Sequence, residues 1–359
     1  MRRFRCTVSY CGAAYEGWQS QRDGKSVQEQ IEEALHEIAH QKINIIASGR
    51  TDAGVSARGQ VFHFDTDRDL SGRKWMGALN GHLPKDIHIM DCTEADFTFH
   101  ARYSVRMKQY DYRINLGPYD VFTKDIAYQC PVALDIEKMK EASRYLTGTH
   151  DFTSFNSNTL AETPNQVRTV NDIVFSREGN ILKLTFTGKG FLRYMVRMMA
   201  AQLIEVGRGR LQPEDIQKML DAKSKTISRK NAPANGLTLE RVDYFEICAL
   251  NEEVMIREFL QSDTLPEGIS LSQLEKCVKN RETPVYYILT ERKSQKQLGL
   301  FLATEQFCEL TVYEEAWYES ALNLKPQIQE WMKKYGLAEE TEIRIELRDQ
   351  SITNEAENA

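Results

Sequence analysis

The stretch Ser48-Gly49-Arg50-Thr51-Asp52-Ala53-Gly54-Val55-Ser56-Ala57 sets one carboxylate, Asp52, in a glycine-bounded loop close to a guanidinium, Arg50. Glycines let a backbone turn tightly or approach a ligand closely. A neighbouring cation favours the charged form of an aspartate. The pattern therefore predicts an ionised carboxylate on a rigid loop, which is what a nucleophile or a general base requires. A turn-capping aspartate beside a surface arginine has the same spacing, since Asp and Gly are ordinary turn residues. Spacing alone leaves both readings open.

Other groups could serve such a carboxylate. Tyr110 and Tyr112 sit two apart in an alternating segment, Gln109-Tyr110-Asp111-Tyr112-Arg113, so both side chains point to one face of a strand. Phe191 to Val206 is apolar almost all round and predicts a buried helix. Arg193 and Arg197 lie four apart near its start, on one side, and a buried arginine needs a partner. The alternative is that both emerge from a helix end into solvent. Arg58, Arg102, Arg106 and Lys108 are candidate phosphate contacts, or solvated surface charges. One motif points elsewhere: His36-Glu37-Ile38-Ala39-His40 fits the zinc-protease pattern H-E-x-x-H. At about 100° per residue, Val27, Ile31, Ala34, Leu35 and Ile38 form one arc, and both histidines fall opposite it. They are expected to face solvent, with no walled site for a metal.

The elements that must hold these groups read as follows. Phe4 to Tyr10 alternates like a strand, and Ser26 to His40 is a helix that Ser26 can cap, with Glu29 at capping-box spacing. Ile43 to Ala47 and Gln60 to Asp65 are strands flanking the Asp52 loop; Arg73 to Asn80 is a helix and Ile87 to Met90 a strand. This β-α-β-β-α-β order is ferredoxin-like. A similar order returns with Tyr103 to Leu116, the helix Asp135 to Leu146, strands Val170 to Ser176 and Ile181 to Thr187, helices Phe191 to Val206 and Pro213 to Leu220, and strand Leu237 to Phe245. Beyond Phe245, Glu252 to Leu260, Ser272 to Val278 and 325–335 read as helices, Ser262 to Gly268 as a loop, and Val285 to Leu289, Leu298 to Ala303 and Ile343 to Leu347 as strands. The final residues, Gln350 to Ala359, read as disordered. The expected class is α+β, with a small acidic α/β domain at the C-terminus.

Charge separates the two parts of the chain. Residues 1–245 carry 34 Lys and Arg against 30 Asp and Glu, a balance of +4, whereas residues 246–359 carry 12 against 22, a balance of −10. A nucleic-acid partner therefore suits the first part only, because backbone phosphates reward local basic clusters. With 359 residues, 41% hydrophobic and 27% charged, the chain reads as globular with two or three domains. No segment approaches the ~20 apolar residues of a membrane helix, and the basic start Met1 to Cys6 lacks the apolar run of a signal peptide. Seven scattered cysteines without a C-x-x-C pair are expected to be free thiols in a reducing cytoplasm.

Several ordered motifs carry a resemblance. Gly49-Arg50-Thr51-Asp52-Ala53-Gly54-Val55 followed by Gly59 to Phe64 is joined by Asp96 to Ser104 (DFTFHARYS), His150 to Phe155 (HDFTSF), Gly190 to Met199 (GFLRYMVRMM), and Asn235-Gly236-Leu237 with Val242-Asp243-Tyr244. Together they resemble the tRNA pseudouridine synthase A family over roughly residues 1–245, leaving 246–359 unassigned. The resemblance implies two tandem units, 1–104 and 105–245, sharing an extended antiparallel sheet with a central cleft; beyond them, charge and composition alone read 246–349 as an acidic domain and 350–359 as a tail. It implies that Asp52 is the catalytic residue, that Tyr110 stacks on the target base, that Arg193 pairs with Asp52, and that Arg50 displaces or replaces the flipped base. Arg58 and Arg102 are expected along the RNA backbone. It further implies isomerisation of anticodon-arm uridines, at tRNA positions 38 to 40, by a cytoplasmic homodimer that binds tRNA. Neither cofactor nor metal is needed, because the reaction involves no redox change. The alternative from another class is a non-catalytic RNA-binding or RNA-folding module. Ser56 departs from the family, where His is frequent, and bears on a local substrate contact.

Overall fold

The computed structural model describes residues 1–19, 25–95, 99–228, 230–249, 285–291, 297–303, 308–312 and 343–347. The expected helices 252–260, 272–278 and 325–335, the loop 262–268 and the tail 350–359 lie outside the described residues. The chain is mixed α and β, with a large open sheet and, among the described residues, five α-helices. It divides into two compact units, Met1–Glu94 with Met107–Asp243, and Ala95–Arg106 with Tyr244–Ala359.

In chain order the first unit draws on β1 (Arg2–Tyr10), α1 (Val27–Ala39), β2 (Ile46–Ala47), β3 (Ser56–Thr66), α2 (Gly72–His82), β4 (Ile87–Ala95), β5 (Val105–Asn115), β6 (Tyr128–Gln129), α3 (Ile136–Leu146), β7 (Gly148–Asp151), β8 (Val167–Glu178), β9 (Ile181–Gly188), α4 (Met195–Gly207), α5 (Asp215–Ala222) and β10 (Leu237–Ala249). Strands follow the order β4-β1-β3-β10-β5-β9-β8-β7, with β2 beside β3 and β6 beside β5. The β1–β3 pair is antiparallel with Phe4 opposite Phe64. β10 runs parallel to β3 at Thr238↔Ser56 and Leu239↔Ala57, so the strand leaving the Asp52 loop is anchored by a segment from far along the chain. β5 pairs antiparallel with β9, setting Tyr110 opposite Phe186 and Tyr112 opposite Leu184.

The helices form where apolar spacing and caps coincide. Ser26 Oγ accepts from the Glu29 N–H at 3.1 Å, and Val27, Ile31, Ala34 and Leu35 bury one face of α1. Asp135 caps α3 through the Lys138 N–H, and Met139, Ala142 and Leu146 face inward. Such caps each contribute roughly 0.5–2 kcal/mol. One cluster of aromatic rings, Phe4, Phe62, Phe64 and Trp75, fills the core on the side of β1 and β3. α4 is buried on nearly every side, as its composition predicts.

Two sequence expectations change here. α4 begins at Met195, four residues later than the apolar run suggested, because Tyr194 adopts a left-handed backbone with φ 65°. Cys6 in β1 and Cys92 in β4 form a disulfide, so the cysteines are not all free thiols. The two lie 86 residues apart and meet only because β1 and β4 are sheet neighbours, which local spacing does not reveal. Cys11 and Cys130 are free.

In the second unit, the end of β10 pairs antiparallel with β11 (Val285–Glu291), which pairs with β12 (Gln297–Ala303), then β13 (Cys308–Val312). β14 (Ile343–Leu347) closes the edge parallel to β13. The segment before β5 belongs to this unit: the Tyr244 hydroxyl donates to the Ala101 carbonyl at 2.6 Å, and the rings of Phe99 and Tyr244 lie 5.0 Å apart.

Candidate active site

Asp52 sits between β2 and β3 on a loop held from both sides. On one side the residues after β1 clamp it: Trp18 N–H donates to the Thr51 carbonyl at 3.1 Å, and Gly54 N–H to the Tyr15 carbonyl at 3.1 Å. Gly17, at φ 102°, approaches so closely that a Cβ there would lie 2.7 Å from the Thr51 carbonyl oxygen. Gly54 itself turns at φ 77°, in the region only glycine enters freely. On the other side the Gln60 amide donates to the Gly49 carbonyl at 2.9 Å, and Lys108 Nζ to the Ser48 carbonyl at 2.8 Å. Below the loop the Thr51 hydroxyl shares a buried 2.8 Å hydrogen bond with the Tyr10 hydroxyl. These contacts restrain the loop from both sides.

The guanidinium that meets the carboxylate is Arg197. Its Nη1 donates to Asp52 Oδ2 at 3.3 Å, its Nε to the Ala232 carbonyl at 2.9 Å, and the pair keeps 14% and 21% side-chain exposure. This corrects the assignment of that ion pair to Arg193. Arg193 precedes α4 instead of lying within it, so the shared helical face on which it was grouped with Arg197 does not exist. Arg193 is exposed, and its backbone N–H is taken by Asn158 Oδ1 at 2.9 Å. It still lies within electrostatic reach of Asp52. Nor does the Arg50 side chain pair with the carboxylate: it is exposed, with no ion pair among the described residues.

The charge balance at Asp52 differs from the simple expectation of a stably ionised group. Burial is the largest influence and pushes its carboxyl above the ordinary aspartate value; the charge and hydrogen bond of Arg197, then the charge of Arg193, pull the other way without cancelling it. A carboxylate so poised is a better proton acceptor than one in open water.

Tyr110 lies in β5 beside this pair. It is 8% exposed, its ring meets Phe191 edge-on at 5.4 Å and 88°, and burial, with the nearby Tyr10 and Asp52, pushes its phenol well above the ordinary range. Tyr112 is wholly buried and donates to the Pro233 carbonyl at 3.0 Å. The two tyrosines therefore share a strand face, Tyr110 near the carboxylate and Tyr112 tying down the segment before β10.

The remaining candidates are dispersed. Arg58 leans on Glu240 at 3.8 Å, and Glu240 also receives Arg113 at 2.6 Å. Arg102 belongs to the second unit, exposed, its backbone N–H on His100 Nδ1 at 3.1 Å. Ser56 is buried, and its hydroxyl accepts from the Gly12 N–H at 3.0 Å, so it braces the base of the loop. His36 and His40 are both exposed, as the helical arc predicts.

The sequence of this site has close relatives. A family model described as tRNA pseudouridine synthase matches residues 7–104 and 142–245. The chain is 44% identical over 245 residues to tRNA pseudouridine synthase A of Bacillus licheniformis, covering 67% of this chain and 99% of that protein. It is 42% identical over 246 residues to tRNA pseudouridine synthase A of Anoxybacillus flavithermus, covering 68% and 99%. The chain belongs to the tRNA pseudouridine synthase family. It is a pseudouridine synthase, an isomerase. Asp52 and Arg197 lie inside the two segments matched by the family model; Tyr110 lies between them. No described helix of this synthase is long and apolar enough to cross a membrane.

Proposed function

We propose that this pseudouridine synthase acts on tRNA, isomerising anticodon-arm uridines at positions 38 to 40, with Asp52 as the catalytic carboxylate. The observation that carries the reading is the Asp52–Arg197 ion pair: a partly desolvated carboxylate on a clamped loop, held at 3.3 Å by a cation from a separate part of the chain. The reaction breaks the bond from the sugar to the uracil nitrogen, turns the base, and rejoins it through carbon, with one proton leaving that carbon and one reaching the freed nitrogen. Electrons balance within the substrate, so the step needs no redox partner. The clamped carboxylate can attack the substrate or take a proton from it; both uses need it charged.

The target base must leave its stack, which costs a few kcal/mol. Tyr110 is suited to receive it, being an aromatic ring next to the carboxylate. Arg50, exposed on the same loop, is suited to fill the vacated space, and Arg193, Arg58 and Arg102 to hold phosphates. In this reading residues 1–104 and 105–245 are tandem ferredoxin-like units around a cleft, the enzyme is a cytoplasmic homodimer, and the acidic domain 246–349 lies outside the RNA path. The test is to incubate unmodified tRNA with the purified protein and map pseudouridine. Wild type should modify the anticodon arm and Asp52→Asn should not; RNA binding without any pseudouridine in the wild type would leave a binding module instead.

A further inference from the structure

Among the described residues, Tyr194 is one of three non-glycine residues with a left-handed backbone, with His40 and Lys223. Its φ is 65°, it directly precedes α4, and its side chain caps nothing by hydrogen bond. A large aromatic in this region is a true outlier, since its Cβ crowds the carbonyl. Such strain persists only where the surroundings over-determine it, and it gathers at functional sites. Two guanidiniums lie over the Tyr194 ring, Arg193 at 5.1 Å and Arg197 at 5.3 Å from its centroid. Both arginines act on Asp52.

We propose that Tyr194 is a positioning residue for the reaction: its ring, held in place by the left-handed turn into α4, fixes the Arg197 guanidinium against the Asp52 carboxylate. The inference rests on the reading of Asp52 as the catalytic carboxylate.

The ring supplies the Arg197 guanidinium with a second contact beside its hydrogen bond. Arg197 reaches Asp52 through one nitrogen only, at 3.3 Å, so the ion pair has no bidentate fork to set its direction. Its orientation comes from the Nε bond to the Ala232 carbonyl and from the aromatic face. With the Nε bond alone, the guanidinium can pivot about that contact and carry Nη1 away from the carboxylate. A regular helical backbone at residue 194 would aim the ring elsewhere, because the Cα–Cβ direction is set by φ and ψ. The turn is secured from outside, by Arg193 N–H on Asn158 Oδ1 at 2.9 Å and Ser157 N–H on the Arg193 carbonyl at 3.1 Å.

Among the described residues, four titratable groups bear on Asp52 or on Thr51 beside it. Arg197 comes from α4, Arg193 from the segment before it, and Tyr110 from β5, with Tyr10 of β1 reaching the loop through Thr51. The arginines are the cations among these, so loosening them leaves burial unopposed at the carboxyl.

The test is the pH profile of kcat/KM on tRNA for Tyr194→Phe, Tyr194→Leu and Tyr194→Asn, together with direct titration of the Asp52 carboxyl by carbon-13 NMR. Phe keeps the ring and should leave the acid limb in place. Leu and Asn should move it upward by roughly half to one pH unit, the scale of a lost cation–π contact. Asn tolerates the left-handed region, so that variant keeps the turn into α4 and carries the test should Leu not fold. A limb and a carboxyl titration unchanged in Tyr194→Asn overturn the proposal. If instead Asp52→Asn keeps its turnover, the catalytic assignment has failed; the NMR titration then still decides whether Tyr194 governs the ion pair.

Discussion

Arg197 and Ala232 hold each other twice: Arg197 Nε donates to the Ala232 carbonyl at 2.9 Å, and the Ala232 N–H donates to the Arg197 carbonyl at 3.1 Å. The arrangement ties the start of α4 to the segment leading into β10, and leaves Nη1 for Asp52. It gives the ion pair an anchor at each end, because Asp52 is clamped by its own loop.

Removing the cation exposes this dependence. Arg197→Gln should shift the acid limb of kcat/KM upward, since the largest opponent of burial at Asp52 is gone. It should also lower the neutral-pH rate at least about tenfold, a ΔΔG‡ of roughly 1.4 kcal/mol. Arg193→Gln, which removes only the weaker influence, should shift the limb less. A larger shift from Arg193 than from Arg197 would reverse the assignment made here.

Asp52→Asn should abolish pseudouridine formation while tRNA binding stays within a few-fold. It should also raise stability near neutral pH. The folded carboxyl titrates above its unfolded value, so the fold favours the protonated form. That contribution is complete below the unfolded value and is lost as pH rises through the folded one. The melting-temperature gain of Asp52→Asn over wild type is therefore expected to be larger at pH 7 than at pH 4, measured by calorimetry at both.

Tyr110→Phe keeps the ring against Phe191 and should retain most tRNA affinity and turnover. Tyr110→Ala should lose roughly 1–3 kcal/mol, the worth of one stacked base, and its fold is checked by circular dichroism. An alanine variant with wild-type kinetics would show that the base rests elsewhere.

Ser56→Ala strands the buried Gly12 N–H, which costs roughly 1–3 kcal/mol. A lower melting temperature with an unchanged pH profile is expected. A changed profile at unchanged stability would mean that the hydroxyl serves substrate.

A chain ending after Ala249, the last residue of β10, should still form pseudouridine. The match to the Bacillus licheniformis enzyme spans 245 residues and 99% of that protein, so its relatives do without the remainder. Residues 246–359 balance at −10, and like charge near phosphates weakens RNA binding at moderate salt. Pseudouridine yield and tRNA affinity of the truncated and full chains decide it; a loss of tenfold or more in affinity would show that the removed part holds RNA.

Much of the first unit was legible because local signals agree there. Ser26 with Glu29 fixes the start of α1, and alternation fixes β1 and β9. Glycines 49 and 54 single out the loop of Asp52. Arg197 was legible as a buried cation, and its partner was not. Apolar periodicity runs straight through Phe191 to Val206, and nothing in a tyrosine announces a left-handed turn, so Arg193 was placed inside a helix that starts after it. Cys6 with Cys92, and Tyr112 with Pro233, are contacts between distant segments, set by strand order. The short strands β6 and β7 carry too few residues for a period to show.

The clamp on residues 51–55, from Gly17, Trp18 and Tyr15 on one side and the Gly12–Ser56 contact beneath, has a consequence for the order of motions in a turnover. The backbone that carries this carboxylate is tied at several points and offers little travel of its own. In the proposed reaction it is a fixed point of reference, and the rearrangement of the substrate's atoms is measured against it.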